Sequence, residues 1–98
     1  MLSTLRKLLG DTATSKADLD QALVVDVRTP GEFNAGHLES SINIPLDEIQ
    51  NHVNDFKNSG SRIVLICRSG ARSGRATKFL QSYGIDAVNG GAWTDYKN

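Results

Sequence analysis

The chemistry-bearing residues of this chain are concentrated in "CRSGARS", residues 67–73, where its only cysteine is followed by arginines, serines and a glycine. A thiol in such a setting is a nucleophile if its surroundings favour the thiolate, which is the reactive form. A short glycine-containing turn between a strand and a helix can aim successive backbone N–H groups inward as an anion-binding nest. The first N–H groups of the helix that follows add partial positive charge, and Arg68 and Arg72 add full charges. The same donors suit the oxygens of an incoming oxyanion, or the outer sulfur of a persulfide. The competing reading is structural: free cysteines are commonly buried and inert, and Cys67 ends an apolar run. A buried strand end has no need of the two arginines and two glycines that occupy the next seven residues, so composition leaves both readings open.

No histidine lies near Cys67 in the sequence. Activation by backbone dipoles and arginines, without a general base, is therefore the simpler expectation. His37, beside Gly36, reads as a turn-shaping residue, and one Cys with His37 and His52 supplies no metal-ligand spacing. Asp26, Arg28 and Glu32 read as a structural ion-pair set tying a strand end to the turn after it. Gly90 and Gly91 read as a tight turn, and Trp93 as core or pocket wall.

The elements that would position these residues alternate between two periodicities. "ALVVDV" (22–27) and "RIVLIC" (62–67) are continuously apolar over strand-like lengths, as burial on both faces of a parallel sheet requires. "SINIP" (41–45) and "DAVN" (86–89) read as shorter strands, and "TAT" (12–14) as a possible first one. Helical spacing occurs in 45–58, through Leu46, Ile49, Val53 and Phe56. It recurs in 73–84, through Ala76, Phe79, Leu80 and Tyr83, with Gly84 at C′ and Ser73 opening the helix. "TPGEFNAG" (29–36) predicts one short helical turn with Thr29 as N-cap and Pro30 at N1. "LSTLRKLL" and "SKADLDQA" are further helix candidates. This alternation predicts an α/β fold with a mainly parallel central sheet flanked by helices on both faces. Ligands of such sheets sit beyond the carboxyl ends of the strands, where Cys67 lies.

With 98 residues, the chain is expected to form a single domain spanning 1–98. Its formal charge is zero and it has no block of like charges, which points away from nucleic acid and anionic membranes. One cysteine makes no internal disulfide. The start "MLSTLRKLLG" has no apolar stretch of signal-peptide length, and no run is long enough to span a membrane. A cytoplasmic location is the default expectation.

Taken together, the motifs resemble the rhodanese family. "VVDVRTPGEFNAGHLESSINIP" (24–45) is similar to its upstream signature, "CRSGARS" (67–73) to the active-site loop of its single-domain members, and "VNGGAW" (88–93) to its downstream signature. The three occur in the family's order, from about residue 12 to the C-terminus. The resemblance implies a thiosulfate sulfurtransferase that needs no metal or organic cofactor. Cys67 would become a persulfide by taking a sulfane sulfur from a small anionic donor, with Arg68, Ser69, Gly70, Ala71, Arg72 and Ser73 binding the substrate. The acceptor would be cyanide, a thiol or a protein partner.

The nearest rival chemistry is phosphate-ester cleavage, which the same superfold also carries. Spacing argues against it. Four residues separate Cys67 from Arg72, and the Cys-x5-Arg position holds Ser73, which lacks the bidentate fork that grips a phosphoryl group. Inactive regulatory members of the fold typically lose the cysteine, and Cys67 is present. A persulfide carrier docking to a dedicated enzyme would use the same chemistry at Cys67.

Overall fold

The computed structural model describes residues 16–97. The helix expected over 2–9 and the strand expected over 12–14 lie outside the described residues. Strand β1 (Leu23–Asp26) leads into helix α1 (Pro30–Ala35) and strand β2 (Ser41–Asn43). A 3-10 helix (Leu46–His52) then runs directly into α2 (Val53–Ser59), followed by β3 (Ile63–Cys67) and α3 (Ala71–Gln81). Strand β4 (Ala87–Ala92) and a short 3-10 helix (Trp93–Tyr96) complete the order. The strands form one four-stranded sheet in the order β2-β1-β3-β4, with every pairing parallel.

The continuous apolar runs become the two central strands for the expected reason. All five residues of β3 are buried, with alternate side chains feeding two separate cores. Val25, Ile63, Leu65 and Cys67 pack with Ile49, Phe56, Ala76 and Leu80 on one face. Val24, Val64 and Ile66 pack with Leu38, Leu19, Trp93 and Tyr96 on the other. The second face is thus covered, among the described residues, by irregular chain and a 3-10 turn rather than by a long helix.

Three local expectations are corrected. Residues 16–22 form no helix: Asp18 Oδ1 accepts the Asp20 N–H at 2.9 Å, and Gln21 turns to φ 61. Short Asp side chains compete in this way with the helical backbone. The helix read over 45–58 is split, its first half tightened to 3-10 geometry. Gly90 and Gly91 make no tight turn but belong to β4, at a register shift where Leu65 faces Asn89 and Ile66 faces Gly91. Gly90 is the extra residue of this bulge. A Cβ there would stand 2.8 Å from both Ile66 Cγ2 and Val64 Cγ1, so the close strand packing explains the glycine.

Helix α3 ends as its sequence suggests. Ile85 and Gly84 N–H groups return to the Leu80 and Gln81 carbonyls, with Gly84 left-handed at φ 77. No helix among the described residues is long and apolar enough to cross a membrane.

Candidate active site

In the strand order, β1 is followed to one side by β2, while β3 is followed to the other by β4. The crevice beyond the carboxyl ends of β1 and β3 is therefore a topological switch point, the usual ligand position in such sheets. Cys67 ends β3 and Asp26 ends β1, so both motifs reach this edge.

The cysteine loop turns at Gly70, which takes φ 98 as N-cap of α3. A side chain there would be strained by the backbone conformation and would meet Gly91 Cα at 3.4 Å. Helix α3 begins at Ala71, two residues earlier than expected, because this turn starts the helix and Gly74 N–H already bonds to Gly70 O. Ser73 consequently lies inside the first turn, where its N–H has no intrahelical partner.

That donor points at sulfur. Cys67 Sγ receives the Gly70 N–H at 3.0 Å and the Ser73 N–H at 3.4 Å, with Ser73 Oγ at 3.3 Å. Burial by itself pushes the thiol pKa up, but the Ser73 hydroxyl and the N–H groups of Ser73, Gly70 and Ser69 outweigh it, leaving the pKa below the ordinary cysteine value. Cys67 is also fully buried and part of the main core, as the structural reading expects. Ser69, Ala71 and Arg68 stand exposed at the mouth of the loop, while Gly70 and Ser73 line its buried interior.

The arginines divide. The Arg72 guanidinium grips Glu32 with two bonds, Nη1 to Oε1 at 2.7 Å and Nη2 to Oε2 at 3.0 Å. The Glu32 carboxylate therefore pairs with the cysteine loop and not with Arg28, which reaches only the Glu32 carbonyl, at 3.3 Å. Its position is set by α1, where Thr29 caps the helix: Glu32 N–H donates to Thr29 Oγ1, and Thr29 N–H to Glu32 Oε1.

Arg72 above all, with the Thr29 N–H, lowers the Glu32 pKa from 4.5 to about 2. A carboxylate whose pKa is lower in the folded chain adds stability above its unfolded value, and this is lost as pH falls through the folded one. We therefore expect stability to drop between about pH 4.5 and 2, by roughly 1 kcal/mol because the pair is partly solvent-screened. Urea titrations across this range should show Glu32→Gln losing that part of the slope; an unchanged slope would mean the pair contributes nothing.

Asp26 and Arg28 form the second pair. Both are buried, with Arg28 Nη2 to Asp26 Oδ2 at 2.7 Å and Arg28 Nε 3.0 Å from each carboxylate oxygen. Arg28 Nη2 also donates to the Gly36 carbonyl at 2.7 Å, and its guanidinium lies 4.6 Å from the Trp93 ring centroid. This pair locks the turn after β1 and leaves no free fork for a ligand. His37 stacks on Phe33 and places Nδ1 2.8 Å from the Phe33 carbonyl, which is a turn-shaping role.

One residue of the site was missed in the sequence. Asn89 Nδ2 donates to the Gly70 carbonyl at 3.0 Å, and its Oδ1 accepts from Ser73 Oγ at 2.7 Å and Gly91 N–H at 3.0 Å. The available signal was a polar side chain inside a strand packed against β3, since such a group needs partners.

The sequence profile of the rhodanese-like domain family matches residues 4–97. A thiosulfate sulfurtransferase of Escherichia coli is 30% identical over 73 residues, covering 72% of this chain and 70% of that protein. A putative sulfur carrier protein of Bacillus subtilis is 30% identical over 87 residues, covering 88% of this chain. The chain spans 46% of that protein's length, and 57% of an uncharacterized Bacillus subtilis protein to which it is 35% identical. Among solved structures, one described as a rhodanese with anions from E. coli superposes with a TM-score of 0.68 at 28% identity, covering 76% of this chain and 89% of that one.

Proposed function

The chain belongs to the rhodanese-like domain family, and from that premise we propose that it is a sulfurtransferase working through a persulfide on Cys67. The donor is thiosulfate or a similar sulfane-sulfur anion, and the acceptor is a thiol or cyanide. The observation that carries this reading is the sulfur's own surroundings: two backbone N–H groups and a hydroxyl within 3.4 Å of Cys67 Sγ. A thiolate held in this way is ready to attack without a general base.

In the first step the Cys67 thiolate attacks the outer sulfur of thiosulfate. A new S–S bond forms, the old one breaks, and sulfite leaves with the electron pair. In the second step the acceptor attacks the outer sulfur of the persulfide, and Cys67 departs as the thiolate. Both steps are displacements at sulfur, and the cycle needs no outside oxidant or reductant. The donors that hold the starting thiolate are equally placed to stabilise it as a leaving group. Arg68, exposed at the loop mouth, supplies attraction for an anionic donor. Arg72 acts chiefly by holding the loop to α1 through Glu32.

Phosphate-ester cleavage fits less well. Ser73 occupies the place where a phosphoryl-binding arginine would stand, and the neighbouring Arg72 fork is already filled by Glu32. A carrier role, in which the persulfide passes to a partner enzyme, is favoured by the resemblance to the putative sulfur carrier protein of Bacillus subtilis and leaves the chemistry at Cys67 unchanged. Intact-mass measurement before and after incubation with thiosulfate tests the shared covalent step. A gain of one sulfur atom, removed by cyanide, is the expected result; an unchanged mass would overturn the reading.

A further inference from the structure

The Ser73 hydroxyl has one proton and two neighbours that want it. Asn89 Oδ1 lies 2.7 Å away and Cys67 Sγ 3.3 Å away, and Ser73 is fully buried, so water does not relieve the competition. The orientation of the Asn89 amide is set by its other contacts. Its Oδ1 faces the Gly91 N–H at 3.0 Å, and its Nδ2 faces the Gly70 carbonyl at 3.0 Å. Turning the amide over would set donor against donor and acceptor against acceptor. Oδ1 is therefore an acceptor toward Ser73, whatever the charge on sulfur.

From this geometry we infer that Asn89 is a positioning residue that acts through Ser73, drawing the hydroxyl proton away from Cys67 and so restraining formation of the thiolate. While the sulfur carries a proton, the S–H donates to Ser73 Oγ, and Ser73 donates to Asn89. Once the sulfur is an anion, the hydroxyl turns to it, and Asn89 Oδ1 keeps only the Gly91 N–H. When a persulfide forms, the inner sulfur loses its charge and the hydroxyl returns to Asn89. The hydroxyl proton stays on Ser73 throughout and only its acceptor changes, while the thiol proton leaves to solvent when the thiolate forms. Asn89 thus holds the Ser73 rotor inside the site at the stages when sulfur does not need it. Its Nδ2 contact with Gly70 is a separate, structural service to the loop.

The two services have opposite effects on the thiol. Losing the Oδ1 acceptor frees the hydroxyl for the thiolate, whereas losing the Nδ2 donor loosens the Gly70 N–H that faces sulfur. A double-mutant cycle separates them, because only the first depends on Ser73. The readout is the pH midpoint of iodoacetamide alkylation, a neutral probe of Cys67. Asn89→Ala is measured in the native chain and in the Ser73→Ala background.

We expect the Asn89→Ala shift to lie at least about half a unit lower when Ser73 is present than when it is replaced. Equal shifts in the two backgrounds, or a difference of opposite sign, would overturn the inference. Asn89→Val, which suits a strand and makes no side-chain hydrogen bond, is run through the same cycle in case the alanine variant folds poorly. The inference rests on the thiolate chemistry proposed above. A wild-type midpoint at the ordinary thiol value would overturn both, whereas a depressed midpoint with equal shifts would overturn this inference alone.

Discussion

Replacing Cys67 with serine abolishes sulfur transfer from thiosulfate to cyanide, with a fall of about a thousandfold or more, to the level of background. The expectation follows from the chemistry of the two side chains. A hydroxyl at this position accepts the same Gly70 and Ser73 N–H groups that now reach sulfur. It is nevertheless almost entirely protonated at neutral pH and is a poor nucleophile toward sulfur. Cys67 is the only cysteine in the chain, so no second thiol can take over. The variant should keep the wild-type circular dichroism spectrum and a similar melting temperature, because serine fits the space and the hydrogen bonds. It should also gain no sulfur in the mass experiment. Turnover close to wild type in Cys67→Ser would remove Cys67 from the mechanism.

Arg28→Ala should cost the most stability, about 3–5 kcal/mol in urea denaturation. Asp26 has no exposed surface, and among the described residues Arg28 supplies all its side-chain partners, as well as bonds to the Gly36 and Glu32 carbonyls. Truncation leaves a buried carboxylate held, among the described residues, by one backbone N–H, that of residue 28 itself at 3.0 Å. The loss comes mainly from the stranded charge, not from the value of the pair. For that reason Asp26→Val combined with Arg28→Met should recover part of it, since two apolar residues leave no charge to solvate. A single-variant loss below about 1 kcal/mol would show that water reaches Asp26 and that the pair is not structurally essential.

Both predictions concern residues that stand out in the sequence, but for different reasons. Cys67 stood out because arginines and glycines follow an apolar strand, a composition that a buried strand end does not require. The identity of the central strands was equally legible, because β1 and β3 carry unbroken apolar runs whose only stable place is between two covered faces. The short helix α1 was readable from Thr29, Pro30 and Glu32, whose roles depend on neighbours within one turn. The Asp26–Arg28 pair was readable because its members are two residues apart at a strand end.

Contacts between distant segments were decided only by the tertiary structure. Sequence proximity groups Glu32 with Arg28, yet its carboxylate meets Arg72, 40 residues away, because β1 and β3 are neighbours and their loops rise from the same edge. Asn89 reaches the cysteine loop because β4 pairs with β3 and sets Asn89 opposite Leu65, on the face that α3 covers, just before the bulge at Gly90. The same bulge turned an expected glycine turn into strand. Local patterns determine which segments become strands and helices, since periodicity and capping act over a few residues. Which ends meet depends on strand order and register, which are set by the packing of the whole sheet and leave no mark within any single segment.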